Sequence, residues 1–156
     1  MPAIRRDQCG RCGAVALRDA LGGSHEVPHR HQRFRPDRPG LPDLAGRLGG
    51  VALRVPVENG SMTDFTVRLS QPATAEQINA AFAASAAGPL AGILRYSEAP
   101  LVSRDIIGDP ASCVFDAGLT AADGHLVKVF GWYDNEWGYT NRLADLALLF
   151  AERRTS

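Results

Sequence analysis

The sequence predicts an α+β fold, a largely antiparallel sheet with helices on one face. Three observations carry that expectation. Two short apolar–polar alternations follow one another, at Val51–Val57 and Phe65–Leu69, with an Asn-Gly pair between them. A capping box, Thr74-Ala-Glu-Gln77, opens a helix behind the second alternation. An apolar stretch at 125–132 then runs directly into an amphipathic stretch at 135–151.

Leu41 to Gly50 reads as a short helix with a glycine stop. Val51, Leu53, Val55 and Val57 then share one face of a first strand, with Arg54 opposite. Glu58-Asn-Gly-Ser61 is the expected turn of a hairpin, and Phe65, Val67 and Leu69 form the buried face of its second strand. In the capping box the Thr74 hydroxyl accepts from the Gln77 N–H, and the Gln77 amide reaches back to the Thr74 N–H. That helix is expected to bury Ile78, Ala81 and Phe82 and to stop at Gly88-Pro89. Strands are expected at 92–96, 112–116 and 125–132. The last helix places Tyr139, Leu143, Leu146 and Phe150 on one stripe, which should face the sheet.

At 156 residues the chain has the length of one domain, and 45% apolar residues suffice for a core. No run of eighteen apolar residues suggests a transmembrane helix. The start, Met1-Pro-Ala-Ile-Arg-Arg, has no apolar h-region, so no secretory signal is expected and a reducing cytoplasm is the default. Three cysteines imply no disulfide framework. Charge is uneven: residues 1–50 hold nine Arg against five acids, whereas Lys128 is the single lysine of the chain. Residues 1–40 are crowded with Arg, Gly, Pro and His and show no helical or strand period. They are expected to be disordered or read out of frame, with a separate unit over 41–152.

The densest string is Leu126-Val-Lys-Val-Phe-Gly-Trp-Tyr-Asp-Asn-Glu-Trp-Gly-Tyr-Thr-Asn-Arg142. A turn that only reversed the chain would use Gly, Pro, Asn or Ser rather than large rings. Polar groups on a turn between two rigid elements usually meet a ligand. The string resembles the closing motif of phosphorylating glyceraldehyde-3-phosphate dehydrogenases. So do Leu53-Arg-Val-Pro-Val57, Gly88 to Asp105, and Ser112-Cys-Val-Phe-Asp-Ala-Gly118. The resemblance covers Leu41 to Phe150.

The resemblance implies the fold of that family's C-terminal catalytic domain and chemistry with NAD or NADP on an aldehyde phosphate. It implies that Asn135 hydrogen-bonds the nicotinamide carboxamide and that Tyr139 lies beside the cofactor. By the same resemblance Tyr133 lies near the reacting sulfur, and Arg54 contacts substrate or inorganic phosphate. The family's Gly-x-Gly-x-x-Gly loop, its Ser-Cys-Thr-Thr-Asn nucleophile string and its base histidine are not found in these 156 residues. The expectation is therefore a family fragment, inactive alone, whose partners are the aldehyde phosphate by family, a second copy, or a full-length dehydrogenase.

Competing readings exist for several residues. Asn135 also suits a helix N-cap. Arg54 also suits an ion pair at the sheet surface, and Tyr133, Trp137 and Tyr139 also suit packing. Cys113 reads as a buried strand thiol rather than a nucleophile, and His125 as a turn-edge residue. Cys9, Cys12, His25 and His29 have the spacing Cys-x2-Cys-x12-His-x3-His, so a small zinc-dependent nucleic-acid module is the rival reading. Against it, Ala16 and Gly22 stand where apolar core residues belong, and Pro28 sits where a helix should run.

Overall fold

A computed structural model describes residues 49–154. The proposed zinc ligands, the expected disorder of residues 1–40 and most of the helix expected from Leu41 lie outside the described residues.

Five strands form one mixed sheet. Strand β1 is Ser61–Arg68, β2 Leu94–Ser97, β3 Cys113–Asp116, β4 Ala121–Asp123 and β5 Leu126–Tyr133. The order is β1-β5-β3-β2, with β4 also on β5. Pairings of β5 with β1, β3 and β4 are antiparallel, and only β2 with β3 is parallel. Helix α1, Ala75–Ala87, and helix α2, Trp137–Arg154, complete an α+β fold, as the sequence predicts. Short 3-10 turns lie at Ser103–Ile106 and Ala117–Leu119.

Alternation decides which face of the sheet is covered. Phe65 pairs with Val129 and Val67 with Val127 across β1 and β5, while Leu94 and Tyr96 pair with Cys113 and Phe115 across β2 and β3. These positions share one face, because side chains along a strand repeat every second residue. Helix α1 lies on that face with Ile78 and Phe82 buried, and the Phe82 ring stacks on Phe115 at 3.9 Å. Both capping-box bonds are made: Thr74 N–H donates to Gln77 Oε1 at 2.9 Å, and Gln77 N–H to Thr74 Oγ1 at 3.3 Å. Ala81, expected in the core, is only half-buried. On the other face Ile106, Ala111 and Val114 form a smaller cluster with Leu101 and Trp132 against it.

Three expectations need correction. Residues 51–57 are irregular rather than a strand, and Val51, Leu53, Val55 and Val57 are exposed. The predicted hairpin is therefore absent. Asn59 Oδ1 accepts from Gly60 N–H at 2.7 Å, which makes a local turn, and β1 takes its whole ladder from β5. Second, the stripe on α2 does not face the sheet: Tyr139, Leu143, Leu146 and Phe150 are all exposed. The helix is held near its start, where Gly138 passes so close that a Cβ would come 2.6 Å from Ala111 O, and where Arg142 donates to Gly92 O at 3.0 Å. Third, β4 was not expected. It is short, and it forms because Gly124, at φ +57°, turns the chain back onto β5.

Candidate functional site

The site is built where β5 ends and α2 begins. Asp134, buried at 5% exposure, sits at that junction. Its Oδ1 accepts from the N–H of Glu136 at 2.9 Å and of Trp137 at 2.7 Å. Its Oδ2 accepts from Gly108 N–H at 2.9 Å and from Asn59 Nδ2 at 3.2 Å. One carboxylate thus caps the helix and ties it to two loops. These bonds favour the ionised form, led by those from Gly108, Trp137 and Glu136, and hold the carboxyl below its usual range against the opposing effect of burial.

Asn135 is the next residue, and it is exposed. Its amide is not used in capping, because Asp134 does that work. The competing N-cap reading of Asn135 thereby passes to its neighbour. Instead, the Ser61 hydroxyl donates to Asn135 Oδ1. Ser61 opens β1 and lies opposite Tyr133 in the ladder with β5. Just before it, Gly60 is buried at φ +85°, and a Cβ there would come 2.7 Å from Ser103 O, so this approach admits only glycine without a shift.

Ladder and hydrogen bonds therefore bring Tyr133, Asn135 and Ser61 together. Tyr133 is half-buried at the end of β5, and Tyr139 is 67% exposed in the first turn of α2. Trp137 is exposed too, which argues against a packing role within the described residues. Arg54 is not drawn into this group: it is exposed on the irregular segment and makes no ion pair or hydrogen bond among the described residues. Cys113 is half-buried on β3, and a Cβ on Gly131 would come 2.5 Å from its sulfur. His125 is half-buried, with Nδ1 3.0 Å from Leu69 O. Among the described residues no group of His, Cys, Asp and Glu has the arrangement to hold a metal ion, and no helix is long and apolar enough to cross a membrane.

Sequence reasoning missed Asp134, Ser61, Asn59 and Gly108. For Asp134 the signal was present: an Asp three residues before a helical Trp is a cap at least as good as the Asn beside it.

The sequence pattern of the family described as glyceraldehyde 3-phosphate dehydrogenase, C-terminal domain, matches residues 39–135. The chain belongs to this family. It is 63% identical over 109 residues to glyceraldehyde-3-phosphate dehydrogenase 2 of Streptomyces arenae, covering 70% of this chain and 33% of that protein. It is 62% identical over 112 residues to glyceraldehyde-3-phosphate dehydrogenase 1 of Streptomyces avermitilis, covering 72% and 34%. The glyceraldehyde-3-phosphate dehydrogenase of Mycolicibacterium smegmatis is 58% identical over 109 residues, covering 70% and 32%. The chain thus spans about a third of the length of these relatives.

Proposed function

We propose that residues 49–154 form the part of a glyceraldehyde-3-phosphate dehydrogenase that faces the nicotinamide end of NAD or NADP. One observation supports this above the others. Asn135 is exposed, relieved of capping by Asp134, and held through Oδ1 by Ser61. Its Nδ2 group is then left to donate to a carboxamide oxygen. Tyr139 offers an exposed ring in the first turn of α2, and Tyr133 stands at the end of β5. In the same reading Arg54 takes the substrate or inorganic phosphate, since a guanidinium offers a planar set of donors that matches phosphate oxygens.

The bound nicotinamide would supply hydride acceptance in the oxidation of an aldehyde phosphate. The residues on this chain would orient that ring and hold a phosphate. They supply neither the attacking thiolate nor the proton acceptor, because the family's Ser-Cys-Thr-Thr-Asn string is not found in the 156 residues and no histidine stands in the family's context. A polypeptide of these 156 residues is therefore inactive by itself, and the segment ahead of the family match, which starts at residue 39, is foreign to the family. Its place is a reducing cytoplasm. Pure chain assayed with glyceraldehyde 3-phosphate, NAD and phosphate should give no turnover. Turnover would overturn this reading.

A second reading is pairing with a second copy or with a full-length dehydrogenase through the sheet. It is favoured by the face opposite α1, where Met62 is exposed and Phe130 only half-buried. Co-purification with such an enzyme, lost when Met62 becomes Glu, is the expected result.

A further inference from the structure

We infer that Ser61 is a positioning residue for Asn135, fixing its amide so that the site offers a hydrogen-bond donor and not an acceptor. This rests on the proposal that Asn135 faces the nicotinamide.

The argument starts from the symmetry of an asparagine side chain. Its oxygen and nitrogen ends have nearly the same shape and differ in what they can bond. An exposed Asn that nothing holds can turn either end to a ligand, and it must give up that freedom on binding. Two neighbours remove the freedom here. Asp134 takes the Glu136 and Trp137 N–H groups, so the Asn135 oxygen is not drawn back onto the helix end. Ser61 donates its hydroxyl to Asn135 Oδ1. That bond turns Nδ2 away from β1, with both its hydrogens available.

Ser61 can do this because its own place is fixed. It is the first residue of β1, paired opposite Tyr133, two residues before Asn135 on the same run of chain. Gly60 behind it is locked by its close approach to Ser103. Asn59, one residue earlier, is tied through Nδ2 to Asp134. The donor and the amide it orients are therefore held by one network, in which Asp134 sets the start of α2 and β1 sets the hydroxyl. The chemistry selected is a ring bearing a carbonyl acceptor. A ring bearing only a donor at that position is refused.

The test uses the full 156-residue chain, isotope-labelled, observed by NMR. Variants are S61A and the pair S61T and S61V, which have the same shape and differ in the hydroxyl. Amide signals of β1 and β5 report whether each variant keeps its ladder. In wild type and S61T the Asn135 side chain should hold one rotamer, and in S61A and S61V it should average between several. Small pyridines then serve as probes at millimolar concentration. All three share the ring nitrogen and differ at the 3-position, where nicotinamide and 3-acetylpyridine carry the carbonyl and 3-aminopyridine only N–H donors. Wild type and S61T should respond at the Asn135 amide to the two carbonyl rings in preference to 3-aminopyridine. Loss of the hydroxyl should weaken the carbonyl response about 5-fold and erase the preference, as expected for one lost hydrogen bond. A merely structural role for Ser61 would leave the preference unchanged. An Asn135 that stays in one rotamer in both S61A and S61V overturns the positioning role. A rotamer that depends on Ser61, with no response to either carbonyl ring, upholds the positioning and overturns the cofactor reading beneath it.

Discussion

Asp134 and Asn59 meet at 3.2 Å although 75 residues separate them, and this contact joins the turn before β1 to the start of α2. Removing the carboxylate should therefore loosen both. In D134A four donors lose their acceptor, among them the Gly108 N–H and the two N–H groups of the helix cap. The expected loss is about 2–4 kcal/mol, from a cap and hydrogen bonds to a charged group. D134N keeps the cap oxygen but turns an N–H2 toward Gly108 N–H, and should lose about half as much. Urea unfolding of the three proteins measures this.

The same carboxylate sets a pH dependence. Its pKa in the folded chain is depressed, led by the Gly108 bond. The stability it contributes is fully present above its unfolded value, about 4, and is lost as pH falls through the lower folded value. Acidification below about pH 4 should therefore destabilise wild type more steeply than D134N. Parallel melting curves from pH 6 to about pH 3 would check the difference in slope. Equal slopes would remove Asp134 from the account.

Gly60 and Gly92 form a matched pair. Both have positive φ, +85° and +77°, but a Cβ on Gly60 would come 2.7 Å from Ser103 O whereas one on Gly92 meets nothing within 4 Å. Gly92→Ala should cost about 1 kcal/mol, the left-handed penalty alone. Gly60→Ala adds the backbone clash and should cost clearly more, about 2–4 kcal/mol. Equal costs would mean the loop at Ser103 gives way freely.

Burial separates the two helices. Phe82 is 2% exposed and stacked on Phe115, so Phe82→Ala should cost about 3–5 kcal/mol. Leu143 and Leu146 on α2 are 56% and 43% exposed. Changing both to Gln should shift stability by less than about 1 kcal/mol, as for surface positions. Thermal melts of the two variants would show it, and a large loss from the second would mean that α2 is covered in solution.

What could be read from the sequence was what local chemistry decides. Thr74 and Gln77 cap α1 as read, because both partners lie within one turn. Val67, Ile78 and Phe82 are core as read, because their periods match the elements that carry them. The hairpin at Asn59-Gly60 failed because turn chemistry says how the chain bends, not which strand it meets. The partner of β1 lies in β5, far along the chain. The stripe on α2 was real as a pattern, but a pattern names no neighbour, and among the described residues the helix is held mainly near its start. Asn135 lies exposed where β5 meets α2, at the turn its neighbours in the sequence mark out. The cap by Asp134 was legible in the sequence and was passed over, whereas its bonds to Gly108 and Asn59, and the part played by Ser61, appear only when β1, β5 and α2 converge.

One strand decides when this molecule can assemble. β1, β3 and β4 each precede β5 in the chain, and each takes its antiparallel partner from it. On the ribosome those three segments emerge with open edges and must wait for residues 126–133 to appear. A pause or a premature stop before that point would leave a nascent chain that cannot close, and such a chain is a natural client for chaperones.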